Sequence, residues 1–394
     1  MKVLLLSFQN AQKDVNGVAC HIRDLHKVLN EVNIETDILS PYSEYSGLYD
    51  YAVSKLIKLF RRFYQLLRIE IIFYLMILLT ELQLKNRLKS KASKYTIINA
   101  QDIISLVAAT NLKIKIPIVF TCHFLTEPWK EFSNAGYFKE NSFFFQMFIN
   151  KSRKALLHPK IKFISVSNRN RDLLFQFMPE IKAENVKVAY LGLDVRYDLK
   201  KVEMNLPDLD YILNVGKIDR IKNQRLFIGL AEVLKKNNKK ILILLVGPSD
   251  LEEKEYINKT IKEKNLENYF LFTNALNRDS VYYLMQNSLL YIHTAQMESF
   301  GMAIVEAIGS GATVLVREND AIDEILQGNR EGVFGRDFTE LEFYTFVNAF
   351  LESKEKRENL KKMQEKIFKS KYTIEKMRDS FLKYYKEFEV AENG

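Results

Sequence analysis

Tyr211-Ile212-Leu213-Asn214-Val215-Gly216-Lys217-Ile218-Asp219-Arg220-Ile221-Lys222-Asn223 passes from an apolar run through a glycine into a charged turn. Residues 211–215 suit a buried strand, and a helical pattern runs over 222–237. Gly216 permits a tight backbone at the junction. Lys217 and Lys222 place two cations at the carboxyl edge of a strand, where open α/β sheets bind ligands. Two lysines so placed suit a diphosphate. At about 4 Å and an effective dielectric near 20, each unit charge pair is worth roughly 4 kcal/mol. A solvated charged loop is the plain alternative.

The same strand–helix alternation extends outward from this stretch. Further strands are expected at 241–246, 269–272, 289–293 and 313–316, with helices at 253–265, 278–287, 302–309 and 320–327. The first half reads alike, with strands at 2–8, 34–39, 95–99, 116–122, 162–166 and 186–190. Helical patterns cover 17–31, the basic stretch 51–94, 102–111, 140–157 and 168–178. Short β-rich runs separated by helices indicate parallel sheets covered on both faces. The polar seam Lys200 to Asp210 contains Pro207 and lacks periodicity. Two α/β domains follow, at 1–203 and 204–371, and a helical tail from about 372 to 394 joins the first.

The chain has 394 residues, 47% hydrophobic and 27% charged, enough for a large core and too apolar for disorder. Two cysteines, Cys20 and Cys122, exclude a disulfide scaffold. The formal net charge is +9, and residues 51–94 carry +8 of it, with ten basic and two acidic side chains. The remainder is nearly neutral, which removes the main support for nucleic-acid binding. Within this segment Leu56, Leu59, Phe60, Phe63 and Leu67 recur at helical spacing between Lys58, Arg61, Arg62 and Arg68. Such a helix can lie on an anionic membrane surface or pack on its own domain. The longest apolar run, Ile71 to Leu79, is shorter than the ~20 residues of a bilayer span. Residues 1–8 suit a strand rather than a secretory leader. A cytoplasmic protein, peripheral on the inner face of the cell membrane, is expected.

Chemistry concentrates in two further segments. In Glu298-Ser299-Phe300-Gly301-Met302-Ala303-Ile304-Val305-Glu306 a loop carboxylate and one about two turns into a helix flank a helix N-terminus. Free amides there welcome a phosphate or ligand hydroxyls. Glu306 sits among apolar residues and needs a partner; a partly exposed helix charge is the bland reading. In Ile118-Val119-Phe120-Thr121-Cys122-His123 a buried strand carries His123 at its ligand edge. A lone strand-end histidine is often structural. Gly17 opens the first helix, either to let a substrate approach the backbone or as a simple turn glycine. There is no Walker A sequence and no nucleophile elbow. The five histidines lack metal-ligand spacing, and no metal site is expected. Asp208-Leu209-Asp210 sits in the seam rather than at a strand end.

These residues resemble the family 4 retaining glycosyltransferases. Glu298 and Glu306 with Ser299-Phe300-Gly301 are the most specific match, then Gly216-Lys217 with Lys222. Asn16-Gly17-Val18, Ser165-Val166-Ser167, Gly192-Leu193-Asp194 and Leu245-Val246-Gly247 support it. The resemblance implies a GT-B fold, two Rossmann-like domains facing across a cleft. It also implies metal-independent transfer without a cofactor, from a UDP-sugar to a hydroxyl acceptor (lipid-linked, polysaccharide or protein). By position, Lys217 and Lys222 would neutralise the diphosphate and Glu306 would bind the ribose. Glu298 would hold sugar hydroxyls, with the amides of Phe300 and Gly301 close by and Met302 next in the helix. Thr273, Asn274 and Leu276 would border the base. His123 would contact the transferred sugar and Gly17 the acceptor. Three departures stand out: Asn16 where the family often has Gly, Lys217 where Arg is common, and Phe124 where Asp often follows the histidine. A hexosyl- or N-acetylhexosaminyltransferase of cell-surface polysaccharide, glycolipid or protein glycosylation is expected. The alternative is a non-catalytic relative that binds a partner or membrane.

Overall fold

The computed structural model describes residues 1–14, 16–43, 45, 47–112, 115–195, 209–298 and 300–393. The chain divides into two compact units, Met1–Gly192 with Ile374–Gly394, and Leu193–Thr373. The boundary expected at 203/204 and most of the seam lie outside the described residues.

In the first unit the elements are β1 (Lys2–Leu6), α1 (Gly17–Glu31), β2 (Glu35–Leu39), α2 (Leu48–Leu67), α3 (Glu70–Lys91), β3 (Ile97–Ala100), α4 (Ile103–Thr110), β4 (Ile118–Cys122), α5 (Lys130–Asn134), α6 (Phe143–Leu156), β5 (Ile161–Ser165), α7 (Asn168–Phe177) and β6 (Val186–Val188). The six strands are parallel in the order β2-β1-β3-β4-β5-β6. In the second unit they are β7 (Tyr211–Val215), α8 (Leu226–Lys236), β8 (Leu242–Val246), α9 (Leu251–Glu263), β9 (Phe270–Thr273), α10 (Arg278–Asn287), β10 (Leu290–His293), α11 (Met302–Gly309), β11 (Val314–Arg317), α12 (Ile322–Ile325), β12 (Val333–Phe334), α13 (Glu340–Glu352) and α14 (Lys354–Lys371). Their order is β12-β11-β10-β7-β8-β9, again all parallel. This is the doubly wound order, with its reversal between β7 and β10. In the first unit the reversal lies between β1 and β3. The last helix, α15 (Ile374–Asn393), belongs to the first unit. Met377, Phe381, Tyr385 and Phe388 pack there with Val3, Leu5, Ile22 and Leu25.

The inner strands form because their residues are largely apolar on both faces, as a sheet covered by helices requires. All five residues of β8, Leu-Ile-Leu-Leu-Val, are buried. Side-chain caps start the helices where the sequence supplies them: Asn16 for α1, Asp102 for α4, Ser167 for α7 and Asn277 for α10. The helix expected from 222 begins only at Leu226. Asp219 Oδ1 accepts the Lys222 amide at 2.9 Å and keeps the preceding residues in turns. The strand expected over 186–190 stops at Val188, and the helix over 320–327 shrinks to four residues. The short α5 and the two-residue β12 carry no readable period and were not expected.

The basic stretch 51–94 folds as a pair of helices packed on its own unit. Arg68, at φ +53°, separates α2 from α3. Phe73, Tyr74, Ile77, Leu84 and Leu88 of α3 join the main core of the first unit. Asp50 of α2 and Arg87 of α3 form a buried ion pair at 2.9 Å. The face of α2 opposite its buried residues carries Leu48, Leu56, Leu59, Phe63, Leu66 and Leu67 exposed to solvent. Among the described residues no helix is long and apolar enough to cross a membrane.

Candidate active site

In the second unit the loops after β7 and β10 leave adjacent strands at the point where the strand order reverses. Their backbones are laced together. The Thr294 hydroxyl donates to Lys222 O at 2.7 Å, and the Gln296 amide donates to Ile221 O at 2.9 Å. Gly216 has φ +154° and Gly247 φ +145°; a Cβ on Gly247 would lie 2.1 Å from Gly216 O. Glycine at 247 is therefore a steric requirement of the β7 and β8 termini.

Charges converge on this frame. Lys222 Nζ pairs with Glu298 Oε1, and His293 Nε2 lies 2.8 Å from the same oxygen. A carboxylate only accepts, so the His293 proton sits on Nε2. Glu298 and His293 are 11% and 2% exposed. Burial pushes the Glu298 carboxyl up, but the His293 hydrogen bond and charge and the Lys222 ammonium outweigh it, holding the carboxyl at about 2. Lys217 is more open, with Nζ 3.7 Å from Asp219 Oδ2. The Asp219 carboxylate thus meets the ammonium of Lys217 and the backbone amide of Lys222.

Glu306 is the fifth residue of α11, a little over one turn in rather than two. The partner that its apolar helix demands comes from α10. The Tyr282 hydroxyl lies 3.4 Å and Arg278 Nε 3.9 Å from Glu306 Oε1, while Arg278 Nε donates to the Tyr282 hydroxyl at 2.6 Å. Buried Tyr291 has its phenol raised by burial and then by the charges of both Glu306 and Glu298. The two carboxylates therefore share one electrostatic neighbourhood. Gly301 caps α11 in the left-handed region at φ +80°, where a Cβ would strike Ile325 Cδ1 at 2.7 Å. Phe300 is buried edge-on against Tyr372, and Met302 is half-buried at the head of α11. Ser299 lies outside the described residues. Thr273 ends β9, and Asn274 and Leu276 follow it, two strands or about 10 Å from β7. Asn274 is exposed and the other two are half-buried.

The first unit carries the other two expected residues. Gly17 is exposed at the head of α1. His123 follows β4, with Nε2 2.9 Å from Gln101 Oε1. Behind it run Gln101, Thr121, Asn99 and Tyr385, hydrogen-bonded in sequence. The buried His21 ring lies 5.1 Å from that of His123. Burial lowers His123 to about 3. Burial and then the His123 charge lower His21 well below the usual range. His123, Val18, Gln101, Phe120 and Glu131 line a cavity of about 230 Å³. Among the described residues no group of three or more His, Cys, Asp or Glu is placed to hold a metal.

The structure thus joins Lys222 to Glu298, ties Lys217 to their loop, and sets Glu306 beside the same tyrosine. Sequence reasoning missed Asp219, Arg278, Tyr282 and His293. His293 stands at a strand end five residues before Glu298, which is a usable signal; the others become visible only through contact.

Residues 15–197 match the family described as Glycosyltransferase Family 4. Residues 197–367 match the one described as Glycosyl transferases group 1. The fold is similar to sucrose-phosphate synthase from Thermosynechococcus elongatus, at TM-score 0.72, 15% identity and 99% of each chain. It is similar to Anabaena HepE solved with UDP, at TM-score 0.68, 17% identity, 98% of this chain and 100% of that one. In sequence the chain is 26% identical over 204 residues to the N-acetylgalactosamine-N,N'-diacetylbacillosaminyl-diphospho-undecaprenol 4-alpha-N-acetylgalactosaminyltransferase of Campylobacter jejuni. That match takes in 51% of each, so the chain spans about half the length of the curated relative it matches.

Two parallel-sheet, Rossmann-like domains of this kind constitute the GT-B glycosyltransferase fold. Within it, the chain belongs to the family 4 glycosyltransferases.

Proposed function

We propose that this protein transfers a hexose or N-acetylhexosamine from a UDP-sugar to a hydroxyl of a lipid-linked acceptor, with retention of anomeric configuration. The observation that carries the reading is the Lys222–Glu298–His293 cluster at the strand-order reversal of the second unit. Lys222 and Lys217 meet the diphosphate. Glu306 takes the ribose hydroxyls, and Glu298 and the amides of Phe300 and Gly301 take the sugar and its phosphate. Thr273 to Leu276 border the base. As the bond from C1 to the UDP oxygen breaks, charge grows on the leaving diphosphate, and preplaced cations stabilise it most at that moment. The acceptor oxygen bonds to C1 from the same face, and its proton passes to a leaving phosphate oxygen. No metal and no side-chain base is invoked. His123 is assigned to the transferred sugar and Gly17 to the acceptor side. The lipid-linked acceptor is supported by the Campylobacter jejuni relative, and UDP by the ligand of Anabaena HepE.

The outward apolar face of α2, with Lys55, Lys58, Arg61, Arg62 and Arg68 exposed beside it, supports a peripheral position on the cytoplasmic face of the membrane. Anionic vesicles should float the protein and high salt should release it. Deleting 51–94 would open the core, so Leu59→Ser with Phe63→Ser is the sounder probe. Transfer itself is tested with a panel of UDP-sugars and a polyprenyl-diphosphate-linked sugar acceptor, reading product mass and anomeric configuration. No product from any pair, with UDP still bound, would leave the non-catalytic reading standing.

A further inference from the structure

Beside the His123 cavity the first unit holds a larger one, of about 680 Å³. That is within the ~300–1,000 Å³ of small-molecule sites. It lies between the loops after β1 and β2 on one side and helices α2 and α3 on the other. Its bed is apolar, formed by Ile57, Phe73, Met76, Ile77 and Ile104. Phe8 and Phe132 line both cavities, so the larger one adjoins the smaller. Its rim carries Lys13, Lys58 and Arg61, all exposed. Arg61 Nη2 donates to the Tyr42 hydroxyl at 2.8 Å, which holds the guanidinium at the mouth. Among the described residues no carboxylate lines the cavity. Asp50, behind the wall, is neutralised by Arg87. Gln83 lines the inner end and is 1% exposed. Its amide nitrogen donates to Asp50 and Ser54, and its Oε1 is buried with no hydrogen-bond partner.

An apolar bed with three cations at its mouth selects an amphiphile with an anionic head. A free sugar would leave the bed unfilled, and a neutral lipid would leave the cations unmet. We infer that this cavity binds the diphosphate-bearing end of the lipid that carries the acceptor. The apolar chain lies along Ile57, Phe73 and Met76, and the phosphates meet Lys58 and Arg61. The inference rests on the reading of a lipid-linked acceptor. The outward apolar face of α2 lies on the same helix as Ile57, Lys58 and Arg61, so a chain emerging between these groups reaches the membrane that α2 is proposed to touch.

The test is direct binding by the full chain, in saturating UDP so that the second unit's diphosphate site is filled. Geranylgeranyl diphosphate, below its micellar concentration, is the probe; geranylgeraniol and inorganic diphosphate are the controls. The probe should bind, with each control at least about tenfold weaker, since losing charge-assisted hydrogen bonds or the apolar bed costs that much. Lys58→Glu with Arg61→Glu, and separately Met76→Trp, should each weaken the probe about tenfold or more. Leu59→Ser with Phe63→Ser should leave probe binding unchanged while weakening vesicle binding. UDP affinity should be the same in every variant, which reports an intact fold and is independent of any transfer. Equal binding of inorganic diphosphate would mean a free-phosphate site and overturn the inference. Equal binding of geranylgeraniol, or loss of the probe in the Leu59/Phe63 variant but not in Met76→Trp, would overturn it as well.

Discussion

At the carboxyl edge of the second sheet, Glu298 is ionised against Lys222 and His293, and Asp219 anchors both lysines. At the same edge of the first sheet, His123 and His21 face each other with their charge suppressed by burial. Gln101, Thr121 and Asn99 behind them are neutral. The second edge centres on an ion-paired cluster, whereas the first presents uncharged side chains around His123, with Asp102 and Glu131 on the same cavity wall. An edge of fixed charge suits a ligand that is anionic and becomes more so, as a departing nucleotide diphosphate does. An edge of neutral donors and acceptors suits hydroxyl groups, whose recognition needs directed hydrogen bonds and no field. The two units share a strand architecture and differ in electrostatics, and it is site chemistry rather than fold that decides which ligand an edge suits.

The largest expected effect separates the two edges. Lys222→Ala should lower turnover by roughly 10²–10³, comparable to removing one preplaced donor from a charged transition state. His123→Ala should cost less, about 10-fold to 100-fold, as the loss of neutral hydrogen bonding. Initial rates with the preferred UDP-sugar check both, and equal losses would break the contrast. Within the charged edge, Lys217→Ala should cost only about tenfold. Its side chain is 55% exposed and screened by water, whereas that of Lys222 is 27% exposed. A loss at Lys217 matching that at Lys222 would show that exposure does not rank them.

Acid should tell the edges apart by stability. His21 and His123 stay neutral in the folded protein, while an unfolded histidine takes a proton below about 6.5. Their contribution is therefore full above pH 6.5 and is lost as pH falls from there towards about 3. Glu298 is held at about 2. Its contribution is full above about 4.5 and is lost only as pH falls from there towards 2. Glu81, Asp102 and Glu131 in the first unit are raised by burial and pull the other way. Substitution isolates the histidine term. His21→Phe removes two buried nitrogens that lack hydrogen-bond partners. It should raise the melting temperature of the first unit by about 2–4 °C at pH 7, and by more at pH 5. Glu298→Gln should show no such growth between pH 7 and pH 5. Calorimetry at the two pH values reads both differences, and a His21→Phe gain that shrinks at pH 5 would contradict the assignment of a suppressed histidine.

Most of the local structure was legible because local rules set it. Leu242–Val246 and Ile118–Cys122 are unbroken apolar runs, and a run of that length between helical patterns has little else to become. The pair Glu298 and Glu306 was legible because an acid within an apolar helix is costly and so stands out. Lys222 was placed in a helix because periodicity cannot register one side-chain contact, and the Asp219 carboxylate holds it in a turn. Charge and spacing read residues 51–94 as a basic helical stretch with one apolar face, turned either to a membrane or to its own domain. The helix pair instead has an inner face in the core and a separate outer apolar face. Composition registers how many apolar residues a helix has, not how they divide between two faces.

By itself, the sequence determined that this protein is built from alternating strands and helices in two series, with lysines and glutamates gathered near strand ends. Periodicity, glycine placement and the cost of unpaired charge act over a few residues and are written in order along the chain. Only the tertiary structure decided strand order, and so which loops meet at each reversal. It also decided that His293 and Lys222, separated by 71 positions of sequence, share one oxygen of Glu298. It alone decided that His21 and His123 lose their charge together. The reason is physical: a pKa depends on distance and burial, and both exist only once distant segments have packed.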